Sequence, residues 1–248
     1  MAHKKNIFGY HSVVSALSTM PQSVKILFLQ PKERDKRFLQ LVNLATENHI
    51  EIRYITKSRL DEIMPLGNHQ GVIAEVSYLG EYTESYLEVV LNRYDTKIFL
   101  LILDGVQDPH NLGACLRTAN AAGVNAIIIP KDRACGLTPT VCKTASGAIG
   151  VTPIIRVANL TRTIEILKNR NIWVYGVTEE AKQNIYDCQK LLSLPLALVF
   201  GSEGEGLRKL TKESCDEIFS IPMKGTVQNL NVSVAVGISL FAVVQKLT

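Results

Sequence analysis

The sequence predicts an α/β protein: a mostly parallel sheet with both faces covered, preceded by a small N-terminal α/β unit. Three observations carry the prediction. Five short apolar runs after residue 97 alternate with stretches of helical periodicity. A shorter alternation of the same kind fills residues 1–79. Three loops rich in Gly, Asn and Asp each follow an apolar run and lead toward a helix. Strands that alternate with helices pair in parallel, and the helices then cover both faces of the sheet.

From the N-terminus, SVKILFLQ (23–30) is apolar and β-branched and reads as a strand. RFLQLVNLATENH (37–49) places Phe38, Leu41, Val42 and Ala45 at helical spacing. EIRYIT (51–56) and GVIAEVSY (71–78) read as further strands, which defines an N-terminal domain over 1–79. The polar, tyrosine-containing EYTESYLEVVLNRYDTK (81–97) joins two apolar blocks, so residues 80–97 read as a linker with a short helix around 84–93. The second domain, 98–248, opens with the buried strand IFLLILD (98–104). Strands NAIIIP (125–130), IWVYGVT (172–178), LALVF (196–200) and DEIFSIP (216–222) follow, with helices at 111–122, 159–170 and 231–247.

Bulk properties narrow the class. Hydrophobic residues make up 46% and charged residues 20%, an ordinary balance for a globular protein. No apolar stretch reaches membrane-spanning length, and MAHKKNIFGYHS has no signal-peptide apolar block, so the expected location is cytoplasmic with no membrane partner. Five cysteines (115, 135, 142, 188, 215) without a C-x-x-C pair predict reduced thiols. The five histidines form no H-x-x-x-H pair, and no metal is expected. The net charge of +4 is uneven: residues 1–80 carry 10 Lys+Arg against 7 Asp+Glu, including the cluster KERDKR (32–37). That bias permits nucleic acid as a partner, although a basic cluster is also what a solvated helix face looks like.

In such a sheet, ligands collect beyond the C-terminal strand ends, which is where DGVQDPHN (104–111), GSEGEG (201–206) and PMKGTVQNLN (222–231) fall. GSEGEG looks like a phosphate cradle with the wrong side chains. Gly201 and Gly206 have G-x-x-x-x-G spacing, yet Leu207 and Arg208 stand where a nucleotide-binding loop requires Lys and Ser/Thr. Its G-x-x-G-x-G order also misses the dinucleotide fingerprint, and Glu203 and Glu205 would repel a phosphate. Two readings remain, a ligand that tolerates both glycines and carboxylates or a tight turn capping the next helix. In the first loop, Asp104 ends its strand, Pro109 can open a helix, and Asn111 sits where an N-cap or a ligand contact could form. Along that helix Leu112, Cys115, Leu116, Ala119 and Gly123 make an apolar stripe, whereas His110, Gly113, Arg117 and Asn120 follow another face. Arg117 is therefore not core; it is a surface arginine or a site residue. Asn229 and Asn231 are turn and capping residues or ligand contacts, and Ser233, Ala235 and Gly237 beyond them allow close packing.

The ordered set is more specific than any one loop. D-x-x-x-D-P-x-N-x-G-x-x-x-R-T (104–118), G-S-E-G-x-G-L (201–207) and I-P-M-x-G-x-V-x-x-L-N-V-S-V-A (221–235) resemble the SpoU/TrmH family of RNA ribose 2′-O-methyltransferases, in the SPOUT superfamily. IFGYHSVVSAL (7–17) and HQGVIAEV (69–76) resemble the substrate-binding domain of members that act on 23S rRNA. The resemblance implies a SPOUT-type sheet with a C-terminal trefoil knot, an N-terminal RNA substrate-binding domain and a homodimer. It implies S-adenosyl-L-methionine as cofactor, which is cationic at sulfur and carries no phosphate, so glycines and carboxylates are compatible. The implied acceptor is the ribose 2′-hydroxyl of a guanosine in the P loop of 23S rRNA, as large-subunit RNA or a precursor particle. By the same resemblance Gly201, Ile221 and Leu230 give main-chain contacts to the cofactor, and Arg117, Asn111, Glu203 and Asn231 are the catalytic residues. Arg117 is expected as a clamp on phosphate and hydroxyl, because a guanidinium stays protonated. One departure is visible: many relatives have Ser-Leu-Asn where this chain has Asn229-Leu230-Asn231, which removes a hydroxyl. Two other readings stand beside this one, a methyltransferase for tRNA or other rRNA and a non-catalytic RNA-binding or ribosome-assembly factor.

Overall fold

The computed structural model describes the chain apart from residues 1–3, 20, 32–34, 66–67, 78–80, 146–147, 150, 188–192, 228 and 248. The chain forms two compact units, residues 1–79 and 80–248.

In the first unit, β1 (Lys4–Phe8), β2 (Val24–Leu29), β3 (Glu51–Tyr54) and β4 (Val72–Ser77) make a sheet in the order β1-β4-β2-β3. Here β4 runs antiparallel to both neighbours, while β2 and β3 are parallel. Three helices accompany them, α1 (Tyr10–Thr19), α2 (Lys36–Glu47) and α3 (Lys57–Ile63). Helix α2 starts where Asp35 accepts the Arg37 N–H at 2.9 Å, an N-cap that satisfies an otherwise orphan donor. On α2 only Leu41 and Ala45 reach the core, and Phe38 stays partly exposed. The strands expected at 23–30, 51–56 and 71–78 and the helix at 37–49 correspond to β2, β3, β4 and α2. From the basic cluster, Lys32, Glu33 and Arg34 lie outside the described residues.

The second unit holds seven strands, β5 (Glu81–Thr83), β6 (Phe99–Asp104), β7 (Ala126–Pro130), β8 (Ile154–Val157), β9 (Trp173–Val177), β10 (Leu196–Gly201) and β11 (Glu217–Phe219). They run in the order β11-β9-β10-β6-β7-β8-β5, and every neighbouring pair is parallel. The helices are α4 (Tyr86–Tyr94), α5 (Pro109–Ala121), α6 (Pro139–Ala145), α7 (Leu160–Asn169), α8 (Lys209–Ser214) and α9 (Val232–Leu247). Strand alternation divides the core. Leu100 and Ile102 of β6 and Ile128 of β7 join Leu87 and Val90 of α4 and Ile164 and Leu167 of α7 in one cluster. The intervening residues, such as Leu101 and Ile127, point to the opposite face.

The segment expected as a linker is not one. Within 80–97, β5 pairs with β8, and α4 buries Leu87, Val90 and Leu91 against the sheet. These three apolar residues at helical spacing gave the stretch a reason to pack that its polar composition masks. Strands β1 and β8 were also missed.

From β6 the chain passes through β7 to β8 on one side, then crosses to β9 and β10 on the other. The order reverses between β6 and β10, where Asp104 lies opposite Gly201 in register. Such a switch leaves a crevice beyond the C-terminal strand ends. Among the described residues no helix is long and apolar enough to cross a membrane, and no group of three metal-binding side chains stands together. Cys115, Cys135, Cys142 and Cys215 are free thiols, and Cys188 lies outside the described residues. Burial pushes the thiols of Cys115, Cys142 and Cys215 up to about 12, which leaves them protonated and unreactive at neutral pH.

Candidate active site

The loop after β10 turns back on itself within a few residues. Ser202 and Gly206 exchange main-chain hydrogen bonds at 3.2 and 3.0 Å, while Gly204 and Gly206 take φ values of +86° and +65°. Gly201 is a glycine for a different reason. A Cβ there would overlap the main chain of Gly206 and the Leu207 nitrogen, so the turn closes only over a bare α-carbon. The far end of the loop is tied to β6. Arg208 donates from Nε to Asp104 Oδ1 at 2.7 Å, and a second guanidinium nitrogen reaches the same oxygen. The Asp104 side chain is fully buried, where an unpaired carboxylate would be costly.

Asn111, Glu203 and Asn231 come together although 120 residues separate the outer two. The Ser233 hydroxyl donates to Asn231 Oδ1 at 2.6 Å, and Asn231 Nδ2 donates to Asn111 Oδ1 at 3.0 Å. Asn111 Nδ2 in turn donates to Glu203 Oε1. The chain of donors runs in one direction and ends on a carboxylate, so each bond polarises the next. It stitches the loops after β6, β10 and β11 to one another. Asn231 also caps α9, its Oδ1 accepting the Ser233 N–H at 2.9 Å, so the capping reading holds for it. Asn111 does not cap α5. Asp108 does, accepting from the His110 and Asn111 N–H groups, with Pro109 at the first turn. Asp108 therefore frees the Asn111 side chain for Glu203. The Asp-Pro pair in the sequence carried that signal; the role of Ser233 had none.

Beyond the ends of β9 and β10 opens a cavity of about 520 Å³. Gly201, Glu203, Ile221, Leu230 and Asn231 all line it, and so does Asn229. Ile221 and Leu230 belong to no strand or helix, so their main-chain groups are not consumed by a ladder. Apolar wall comes from Val177, Leu207 and Val232, and acidic wall from Glu179, Glu180 and Glu205. Of the two lysines on the rim, Lys212 is paired with Glu180. Burial raises the Glu203 carboxyl above its usual range, and Asp108 adds to the shift, while the Asn111 hydrogen bond opposes it. These features suit a ligand with an apolar ring system and a positive charge, and they disfavour a phosphate. The residues present therefore fit S-adenosylmethionine.

Two expected site residues do not line this cavity: Asn111, which is joined to it through Glu203 and Asn231, and Arg117, an exposed residue of α5. Sequence periodicity correctly kept it out of the core, but the single chain does not bring it to Gly201, Ile221 and Leu230.

A seven-stranded parallel sheet with a cation-tolerant, phosphate-averse cavity at its switch point defines an α/β protein built around a non-phosphorylated cofactor. Comparison with known sequences is specific. The chain belongs to the SpoU rRNA methylase family, whose model matches residues 98–241. A second model, for RNA 2′-O ribose methyltransferase substrate binding, matches residues 6–80. The 23S rRNA (guanosine-2′-O-)-methyltransferase RlmB of Pseudomonas putida is 45% identical over 246 residues, covering 99% of this chain and 98% of its own. The protein of the same name from Escherichia coli K12 is 46% identical over 240 residues, covering 97% and 98%. Among solved structures, the SpoU methyltransferase AviRb from Streptomyces viridochromogenes in complex with AdoMet shares the fold, with a TM-score of 0.66 at 22% identity, over 98% of this chain and 90% of that one.

Two outcomes follow from the geometry. Gly201→Ala should cost at least about 1–3 kcal/mol in chemical denaturation, because backbone cannot yield as a side chain can, and should abolish binding of S-adenosylmethionine in calorimetry. Glu203→Gln should raise the melting temperature at pH 8. The native carboxyl is harder to ionise folded than unfolded, so wild type loses stability as pH rises through the folded pKa. Below the ordinary glutamate value of about 4.3 both states are protonated and the difference should vanish. A Tm gap that stays constant from pH 4 to pH 8, on the order of the whole window, would remove Glu203 as its cause.

Proposed function

We propose that this protein transfers a methyl group from S-adenosyl-L-methionine to the ribose 2′-hydroxyl of a guanosine in the P loop of 23S rRNA, in the cytoplasm. The carrying observation is that the second and third loops of the family motif line one cavity, while the first is tied to both through the hydrogen bonds of Asn111 with Glu203 and Asn231. The relatives of 45% and 46% identity, whose names specify 2′-O-methylation of a guanosine in 23S rRNA, support that substrate and reaction.

The donor, when bound, supplies an electrophilic methyl group on a positively charged sulfur. Main-chain groups of Gly201, Ile221 and Leu230 would hold it, and the carboxylates of Glu203 and Glu205 make the surroundings tolerant of its charge. Asn111, Glu203 and Asn231 keep the three loops at fixed separation. Arg117 pairs with an RNA phosphate and donates to the 2′-oxygen, stabilising the negative charge that grows as the hydroxyl proton passes to water. A guanidinium is a poor base at neutral pH, so its role is orientation. Orientation supplies about 7–11 kcal/mol in favourable cases, against about 3–5 kcal/mol from general-base help of 10²–10⁴-fold. Correct placement is the larger requirement, and an arginine can meet it.

The same reading includes a homodimer and a trefoil knot. Val234 and Phe241, seven residues apart on α9, are each 48% exposed, an apolar stripe that a second copy would cover. A dimer in which one protomer's Arg117 serves the other's cavity reconciles its exposure with a catalytic role. The strand order, with β10 inserted between β9 and β6 and α9 returning to pack on α5, supports the knotted path.

Mass-spectrometric mapping of 2′-O-methyl marks on RNA from cells with and without the protein tests the function. One guanosine mark should disappear from 23S rRNA. A mark lost from tRNA instead would point to a tRNA enzyme, and no lost mark despite confirmed cofactor binding would point to a non-catalytic factor. Arg117→Ala should lower methyl transfer by roughly 10²–10³-fold, the scale for removing one transition-state donor, with cofactor affinity within about twofold of wild type. Retained turnover would take Arg117 out of the mechanism.

A further inference from the structure

The first unit contains a second cavity, of about 300 Å³, which no part of the methyl-transfer reading uses. Its floor is apolar, formed by Leu29, Leu41 and Val72, and its sides carry the rings of Tyr10 and Phe38. Phe38 occupies a helix face position expected to be core, yet it remains partly exposed, its ring centroid 6.1 Å from that of the exposed Tyr54. The Arg37 guanidinium sits over the Tyr10 ring at 5.3 Å. A planar cation above an aromatic face at the mouth of a pocket is a surface that stacks on flat ligands.

The polar groups match a base edge. Gln30 and Gln70 line the cavity, and carboxamides offer a donor and an acceptor in one plane. Gln70 is held in a left-handed conformation, φ +55°, which non-glycine residues seldom adopt. Buried His69 fixes that turn: its Nδ1 accepts the Gly71 N–H at 3.0 Å, so Nε2 carries the proton and donates to Asp61 at 2.8 Å. The Gln70 Oε1 accepts the Tyr10 N–H at 3.2 Å, and its amide nitrogen has no partner among the described residues. Asp35, also on the wall, would repel a phosphate entering the pocket, whereas Arg37 at the rim would attract one outside it. A base inside with its backbone at the rim satisfies both charges. Residues 1–79 also carry 10 Lys+Arg against 7 Asp+Glu, a bias compatible with an RNA surface.

We infer that this cavity is a subsite for one unstacked nucleobase of the RNA substrate, stacked against the rings of Tyr10 and Phe38 that line it and read at its edge by Gln30 and Gln70. The inference rests on the RNA-methylating reading, and it assigns the first unit the recognition of an unpaired nucleotide. Stacking on a single aromatic side chain typically changes affinity by about 5- to 100-fold.

The test uses the full-length protein and an in vitro transcript of large-subunit rRNA. Tyr10→Ala and Phe38→Leu should each raise KM for the transcript by about 5- to 100-fold, with kcat and cofactor affinity unchanged. Phe38→Leu keeps the apolar bulk and removes only the ring face, and Tyr10→Phe should behave as wild type, so loss of folding cannot imitate the result. Ultraviolet crosslinking of the wild-type protein to the transcript should place an adduct on Tyr10 or Phe38. Unchanged KM in both variants with no adduct on either ring would overturn the subsite. Weakened binding to a protein-containing precursor particle but not to naked RNA would overturn it too, because the occupant would then be a protein. Should wild type bind and crosslink the transcript but never methylate it, the methyl-transfer reading fails while the subsite stands.

Discussion

The second unit depends on a contact that only a missing side chain allows. Gly201 ends β10 directly beside Asp104 at the end of β6, and the main chain of Gly206 and Leu207 folds back to where a Cβ would stand. That return delivers Arg208 to Asp104, whose buried carboxylate needs a cation because desolvated charge is costly alone. The two constraints reinforce each other. Without the close turn Arg208 would fall short, and without the ion pair the loop would have one fixed end. Between those fixed ends Glu203 has few places to go, and it meets Asn111.

The charge pattern around that meeting point has its own logic. Asp108 caps α5 and Glu203 receives Asn111 from the same helix start, so two carboxylates gather where the helix dipole is positive. Their mutual repulsion helps raise the Glu203 carboxyl, and a nearby cation would relieve it. A cavity prepared this way favours a sulfonium over a phosphate before any specific contact is made. The glycines, which in a phosphate loop would bring amides toward an anion, here serve chain geometry and close approach.

Local patterns in the sequence reached strands β2–β4, β6, β7 and β9–β11 and the three loops, because apolar runs and Gly, Pro and Asn positions report backbone requirements directly. Strand and helix cores such as β6, β10 and α9 lie within a residue or two of expectation. What escaped were features whose cause lies elsewhere in the chain. Residues 81–97 look polar because only Leu87, Val90 and Leu91 face inward. The Asp104–Arg208 pair spans 104 residues, and the donor chain through Ser233 exists only once three loops have met. Arg117 marks the other boundary: periodicity shows that it is exposed, but which cavity an exposed arginine serves is a property of assembly.

A ribose 2′-hydroxyl is the same on every nucleotide, which limits what the methyl-donor cavity can decide. It can select the donor by charge and shape and can orient one hydroxyl, but nothing about that hydroxyl distinguishes one guanosine from another. Selection has to come from bases and RNA shape, and therefore from surfaces other than the one that holds the donor. The division of the chain into two units follows this division of labour. The second unit devotes its geometry to three loops and a switch point; the first leaves two aromatic rings and two carboxamides at an open pocket. Leaving Phe38 partly exposed forgoes hydrophobic stabilisation of the folded unit. A ligand that covers the ring recovers that stabilisation on binding, so the sacrifice in the free protein becomes affinity for the RNA.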